Sequence, residues 1–141
     1  MEELPAYAYI GAIFNSALNW AEYEDTLHKL FLKNPQSGFL LELESLCGRK
    51  EETIIYITNH TDFNLIDNHK FGKRLMSLLE PIYQSTDIRD FGKKINKLWD
   101  YLIVNFNEEP FCIFSYADDP LSWGDESQTK ALYEYALSYY D

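Results

Sequence analysis

The residues best able to do chemistry are carboxylates in adjacent pairs, Glu108-Glu109 and Asp118-Asp119, with Asp125-Glu126 close behind. Hydrolysis by paired acids needs both to converge on one pocket, with one held protonated by its surroundings. Neighbouring side chains on an extended segment point to opposite faces, so these pairs predict a solvated or partner-facing surface. His28, His60 and His69 share no close spacing with one another or with Cys47 and Cys112, and no metal centre is expected from them. Ser127 follows Gly124-Asp125-Glu126 without the strand-to-helix Gly-x-Ser-x-Gly elbow of a nucleophilic serine. Gly72-Lys73-Arg74 lacks the preceding glycine and strand of a phosphate-binding loop. The motifs therefore predict no catalytic, metal or cofactor site and no enzyme. A nonlocal active site would require one of the histidines to meet a carboxylate in a deep cleft.

Charge narrows the partners. The 141 residues carry 12 Lys and Arg against 23 Asp and Glu, a net charge of −11. Residues 1 to 48 net −5, residues 49 to 104 net +1, and residues 105 to 141 net −7. Such a chain repels nucleic acid at long range and steers basic proteins toward itself. Acidity alone also keeps an aromatic-rich protein dissolved. Arg89, Lys93, Lys94 and Lys97 fall near one polar face, with Lys73 and Arg74 on a similar segment. Because acidic flanks enclose them, intramolecular pairing is expected of them in preference to RNA contact.

The stretch 105 to 126 sets acids among large aromatics: Phe111, Phe114, Tyr116 and Trp123. Rings supply anchor energy at interfaces and charges supply steering. Glu108, Glu109, Tyr116, Asp118, Asp119, Trp123, Asp125 and Glu126 are accordingly the expected partner-binding residues. The alternative is that the rings are core and the acids cap and solvate.

A composition 46% hydrophobic and 16% aromatic can bury a core, and the length fits one domain spanning 1 to 141. No apolar run approaches the roughly 20 residues of a membrane span. The start, Met1-Glu2-Glu3-Leu4-Pro5, is acidic where a signal peptide is basic, so a soluble cytoplasmic protein with buried, reduced thiols is expected. Asn59-His60-Thr61 matches a glycosylation acceptor in letters only.

Ile10, Ile13, Phe14, Ala17 and Leu18 form one helical stripe, and Tyr23, Leu27, Leu30 and Phe31 another. Asn34-Pro35 reads as the start of a third helix through Cys47, closed by Gly48. Residues 50 to 58 lean to helix against their β-branched content, and 59 to 68 read as a loop around a buried Phe63, Leu65 and Ile66. Phe71-Gly72-Lys73-Arg74-Leu75 and Phe91-Gly92-Lys93-Lys94-Ile95 lie 20 residues apart with matching apolar faces. Both predict amphipathic helices, the first kinked or ended by Pro81 and the second capped by Asp87. Glycines in such interiors imply close helix approach. Residues 105 to 120 read as extended or irregular, since Glu109 and Asp119 precede prolines. Asp125 caps a last helix with Leu132, Tyr135, Ala136 and Tyr139 as its apolar face. The expected fold is mainly α, a single-domain bundle of about six helices, with 53-58 and 111-116 open to a short extended or two-stranded element.

Phe39-Leu40-Leu41-Glu42-Leu43-Glu44, the paired Phe-Gly-Lys helices, and Phe114 to Asp125 ahead of a Tyr-rich last helix resemble helical immunity proteins of bacterial polymorphic toxin and contact-dependent growth inhibition systems. The likeness covers about residues 34 to 141. It implies a small cytoplasmic toxin inhibitor, the antitoxin half of a toxin–antitoxin pair. Such a protein is a monomer that forms a heterodimer with a cognate toxin domain, often a basic nuclease, and occludes its active site or substrate groove. It binds neither nucleic acid nor membrane itself. The alternative is an acidic adaptor that binds another basic protein.

Overall fold

A computed structural model describes residues 3 to 141; Met1 and Glu2, part of the acidic start read above, lie outside the described residues. Seven α-helices are present among these: α1 (Glu3–Ile13), α2 (Ala17–Lys33), α3 (Gly38–Ser45), α4 (Lys50–His60), α5 (Asn68–Ser85), α6 (Ile88–Trp99) and α7 (Glu126–Leu137). Three short 3-10 helices, Phe63–Leu65, Phe111–Ser115 and Asp119–Trp123, join them, and the described residues include no strand. The two stretches left open as extended, 53 to 58 and 111 to 116, are thus α-helix and chiefly 3-10 helix. Pro120 sits in the first turn of the last 3-10 helix, where its missing N–H costs nothing, so Asp119 takes up a turn and not the expected extended chain.

The helix α1 is the axis of the bundle. Leu4 to Gly11 are all buried, with Ile13, and α1 packs on α2, α4, α5 and α6. A helix buried on every side has no amphipathic stripe, so only its end is legible as periodicity. The stripe drawn through Ile10 to Leu18 does not exist as one helix. Asn15 takes a left-handed φ of 56°, Ser16 caps α2 by accepting from the Asn19 amide at 3.2 Å, and Leu18 is 74% exposed. The corner draws α2 back across α1, with the Trp20 backbone against Gly11.

Further along, Asn34 closes α2 and the Ser37 hydroxyl caps α3, accepting from Leu40 N at 3.3 Å; the Asn34-Pro35 start is therefore displaced by three residues. Gly48 follows α3 with φ 85°, the left-handed conformation that ends helices cheaply at glycine. Cys47 is exposed and Cys112 half-buried, both free thiols, so neither is the fully buried apolar group expected. Phe63 and Leu65 are exposed too, with only Ile66 half-buried. Their 3-10 turn is too short to fold back over the core.

Helices α5 and α6 match their reading. Asp67 and Asp87 cap them, and Phe71, Leu75, Leu79 and Phe91, Ile95, Leu98 are buried. Pro81 does not end α5, which continues to Ser85. At position 81 the ring is solvent-exposed and the loss is one hydrogen bond near the helix end. Phe91 gathers Phe14, Tyr83 and Tyr133 around it, at centroid distances of 5.9, 5.2 and 5.1 Å. The segment after α6 buries Leu102, Ile103, Val104, Phe111, Ile113 and Phe114 and packs on α6 and α7. In α7 the buried face is Thr129, Tyr133, Ala136 and Leu137; Leu132 is half-buried, and Tyr135 and Tyr139, expected inside, are exposed.

Candidate interaction surface

Seven of the eight expected partner-binding residues divide between the two ends of α7. At its C-terminal end the Tyr135 hydroxyl donates to Glu109 Oε2 at 2.9 Å, and that bond, with the carboxylate charge, holds the phenol above its ordinary pKa. Tyr139 stands edge-on to Tyr135 with centroids 6.2 Å apart, and to Tyr140 at 5.1 Å. Tyr116, 43% exposed, also raises the Tyr135 pKa by its proximity. Glu108 accepts from Asn68 Nδ2 at 3.0 Å. Carboxylates and phenol rings therefore alternate over one exposed area built from α7, the N-terminus of α5 and residues 108 to 116.

At the other end Asp125 caps α7 by accepting from Gln128 N at 3.0 Å, and Glu126 lines an open cleft of about 380 Å³ with Tyr83, Asp87, Lys130 and Glu134. Trp123, 63% exposed, and Asp119 belong to the 3-10 helix leading into it. At 1.5 Å per residue, Glu126 and Tyr135 are separated by about 14 Å along α7.

Asp118 has a different setting. Half-buried, its Oδ2 accepts from Asn96 Nδ2 at 2.8 Å, which ties the 3-10 segment to α6. Its charge adds to the effect of burial in raising the Tyr133 pKa. Glu108, Glu109, Asp118 and Asp125 thus already have internal hydrogen-bond partners, whereas Tyr116, Asp119, Trp123 and Glu126 are exposed.

Two features lay beyond sequence reasoning. Tyr135 and Tyr139, which the spacing with Leu132 and Ala136 places on the apolar face of α7, are exposed; Tyr133 and Leu137, at the same spacing, are the buried pair. The basic residues of α6 form no salt bridge with the acidic flanks among the described residues, contrary to expectation. Among the described residues the ion pairs are His28–Glu44, Lys29–Asp25 and Arg49–Glu52. Lys94 instead lies over the Phe14 ring at 5.9 Å, and Arg74 over Tyr7 at 4.9 Å, consistent with the small gain of exposed ion pairs.

His28 is the one histidine in an ion pair with a carboxylate among the described residues, and it does so at the surface, its side chain 64% exposed. His60 bonds the Tyr56 carbonyl and stacks on its ring at 4.0 Å, and His69 meets Tyr140 edge-on at 5.1 Å. No three His, Cys, Asp or Glu side chains among the described residues are gathered as a ready-made metal cluster, and no described helix is long and apolar enough to cross a membrane. Comparison with protein-family models, curated proteins and solved structures finds no match to this chain.

Proposed function

We propose that this protein is an immunity protein that binds and neutralises a cognate bacterial toxin domain, using the tyrosine and carboxylate surface at the C-terminal end of α7. The observation that carries the reading is the Tyr135–Glu109 hydrogen bond of 2.9 Å beside exposed Tyr116 and Tyr139. Tyrosines bring large, rigid contact area at low entropic cost, and a ring already fixed by a carboxylate loses little further freedom on binding. Nucleases hold phosphates with Lys and Arg, so an acidic surface of this kind complements their substrate groove, and guanidinium groups stack on phenol rings while pairing with carboxylates.

The reading also draws on the resemblance of residues 114 to 125, which form two 3-10 turns packed on α7 and present Tyr116 and Trp123. The inhibitor acts in the cytoplasm as one half of a heterodimer. The test is to mix the purified protein with the C-terminal domain encoded directly upstream and measure binding by calorimetry. A tight one-to-one complex supports the reading. Absence of binding to a folded neighbour contradicts it for that pair and moves the adaptor alternative forward.

A further inference from the structure

Helix α6 and residues 118 to 121 enclose an open cleft of about 320 Å³, lined by Arg89, Gly92, Lys93, Asn96, Asp118 and Leu121. Arg89 and Lys93 lie one turn apart, so their side chains share a face of α6. Both are exposed, and neither enters an ion pair among the described residues. Asp118, the one carboxylate of the lining, is half-buried and already accepts from Asn96 Nδ2 at 2.8 Å. The cleft therefore carries two cations against one acid, a local excess of positive charge in a chain of net charge −11.

One wall of the cleft has no side chain. A β-carbon at Gly92 would stand 3.2 Å from the Tyr133 hydroxyl and 3.8 Å from Asp118 Cβ, so the glycine leaves that hydroxyl at the edge of the cleft. Tyr133 is otherwise 1% exposed. Burial and then the charges of Asp118 and Tyr83 hold its proton on, with no hydrogen bond among the causes. A phenol O–H in such a place is a donor in want of an acceptor. Leu121, half-buried, supplies the apolar part of the lining.

We propose that this cleft receives one carboxylate, the Asp or Glu side chain of a protein partner, which pairs with Arg89 and Lys93 and accepts from the Tyr133 hydroxyl. The inference does not depend on the toxin-neutralising role, whose surface lies at the C-terminal end of α7. A guanidinium forks onto a carboxylate through two parallel bonds, and the methylene stem of the entering side chain lies on Leu121. A single negative charge matches the excess that Arg89 and Lys93 leave over Asp118. A nucleic-acid backbone matches it poorly, because affinity there grows with the number of phosphates neutralised and the acids of the remaining chain repel a polyanion. Each exposed ion pair is worth up to about 5-fold in affinity, so the contact is weak alone and adds to others made by the same partner.

The test is amide NMR of the isotope-labelled full chain, titrated at constant ionic strength with N-acetyl-glutamate N-methylamide into the high millimolar range, beside its uncharged glutamine counterpart. Saturable shifts confined to Gly92, Asn96 and the Arg89 side chain, seen with glutamate and not with glutamine, are expected. Arg89→Gln and Lys93→Gln each weaken the apparent affinity by up to about 5-fold, and the double variant loses saturation. Tyr133→Phe, which preserves the ring, weakens it by about 3-fold. Resonances remote from the cleft show whether each variant keeps its fold. No saturable shift, equal shifts with the glutamine probe, or a titration unchanged in the folded double variant would overturn the site. Tighter binding of a short single-stranded RNA at the same resonances would replace the carboxylate with a phosphate backbone.

Discussion

The hydroxyl of Tyr140 rests against the α-carbon of Gly72, in the space where any other residue would carry its side chain. Gly92 meets the last helix in the same way: a β-carbon there would stand 3.2 Å from the Tyr133 hydroxyl. The two Phe-Gly-Lys segments, 20 residues apart, therefore use their glycines alike, each admitting a tyrosine from the C-terminal segment. Gly72→Ala should lower stability despite alanine's advantage of about 1 kcal/mol in a helix interior. In a Tyr140→Ala background the same substitution should become stabilising by about that amount. Urea unfolding of the four proteins in this cycle checks the reversal of sign.

The acids of the 105 to 126 segment should separate by role. Asp118→Ala, which removes the hydrogen bond to Asn96 of α6, should cost about 0.5 to 1 kcal/mol of stability, and Asp125→Ala, which uncaps α7, about 1 kcal/mol. Tyr116→Ala and Tyr139→Ala should change stability by less than about 0.5 kcal/mol and weaken partner binding by more than 1 kcal/mol as buried interface rings do. Denaturation midpoints set beside calorimetric affinities test the division.

Association should be sensitive to salt. The C-terminal 37 residues hold eight acids and one lysine, and steering by such a field is screened over about 8 to 10 Å at physiological ionic strength. Stopped-flow mixing with a basic partner should show the on-rate falling steeply with added salt while the off-rate changes little.

The tyrosines set an alkaline limit. Burial pushes the Tyr140 phenol from 10.0 up to about 12, and raises Tyr9, Tyr23 and Tyr133 further. A phenol that ionises later in the folded than in the unfolded chain supports folding fully below pH 10. Above it the unfolded state releases the proton first, so stability falls as pH climbs through 12. Unfolding followed from neutral pH to about pH 11 should show this decline, and Tyr140→Phe should make it shallower.

What was legible in the sequence follows from how each element is solvated. Helices α5 and α6 lie on the outside of the bundle, so their period is written in alternating polar and apolar residues; Asp87 stands directly ahead of its helix, whereas Asp67 caps α5 from within a polar stretch that reads as loop. The central α1 is apolar on all sides and left only Ile10 and Ile13 as a trace, joined wrongly to Leu18 across the Asn15 corner. In α7, tyrosines occupy both faces, and a residue that is half apolar and half polar carries no sign of which way it points. Glu109, Tyr116 and Trp123 are exposed, while Phe111 and Phe114 of the same acid-rich stretch are buried, so the mixture of acids and rings in 105 to 126 tells only part of which side chains face outward. The exposure of Tyr135 has no such signal, and the Cys47–Glu24 and His28–Glu44 contacts join residues of two helices that meet only through the turn at 34 to 37.

Protection of living cells tests the toxin-neutralising role most directly. The upstream-encoded C-terminal domain is expressed with this protein, with its Tyr116→Ala/Tyr135→Ala/Tyr139→Ala variant, or alone, and growth is followed. A domain that arrests growth alone, is neutralised by the native chain, and escapes the folded triple variant is the expected result. A harmless domain, or killing that the native chain does not relieve, would contradict the immunity function; rescue by the triple variant equal to that of the native chain would remove this surface from it.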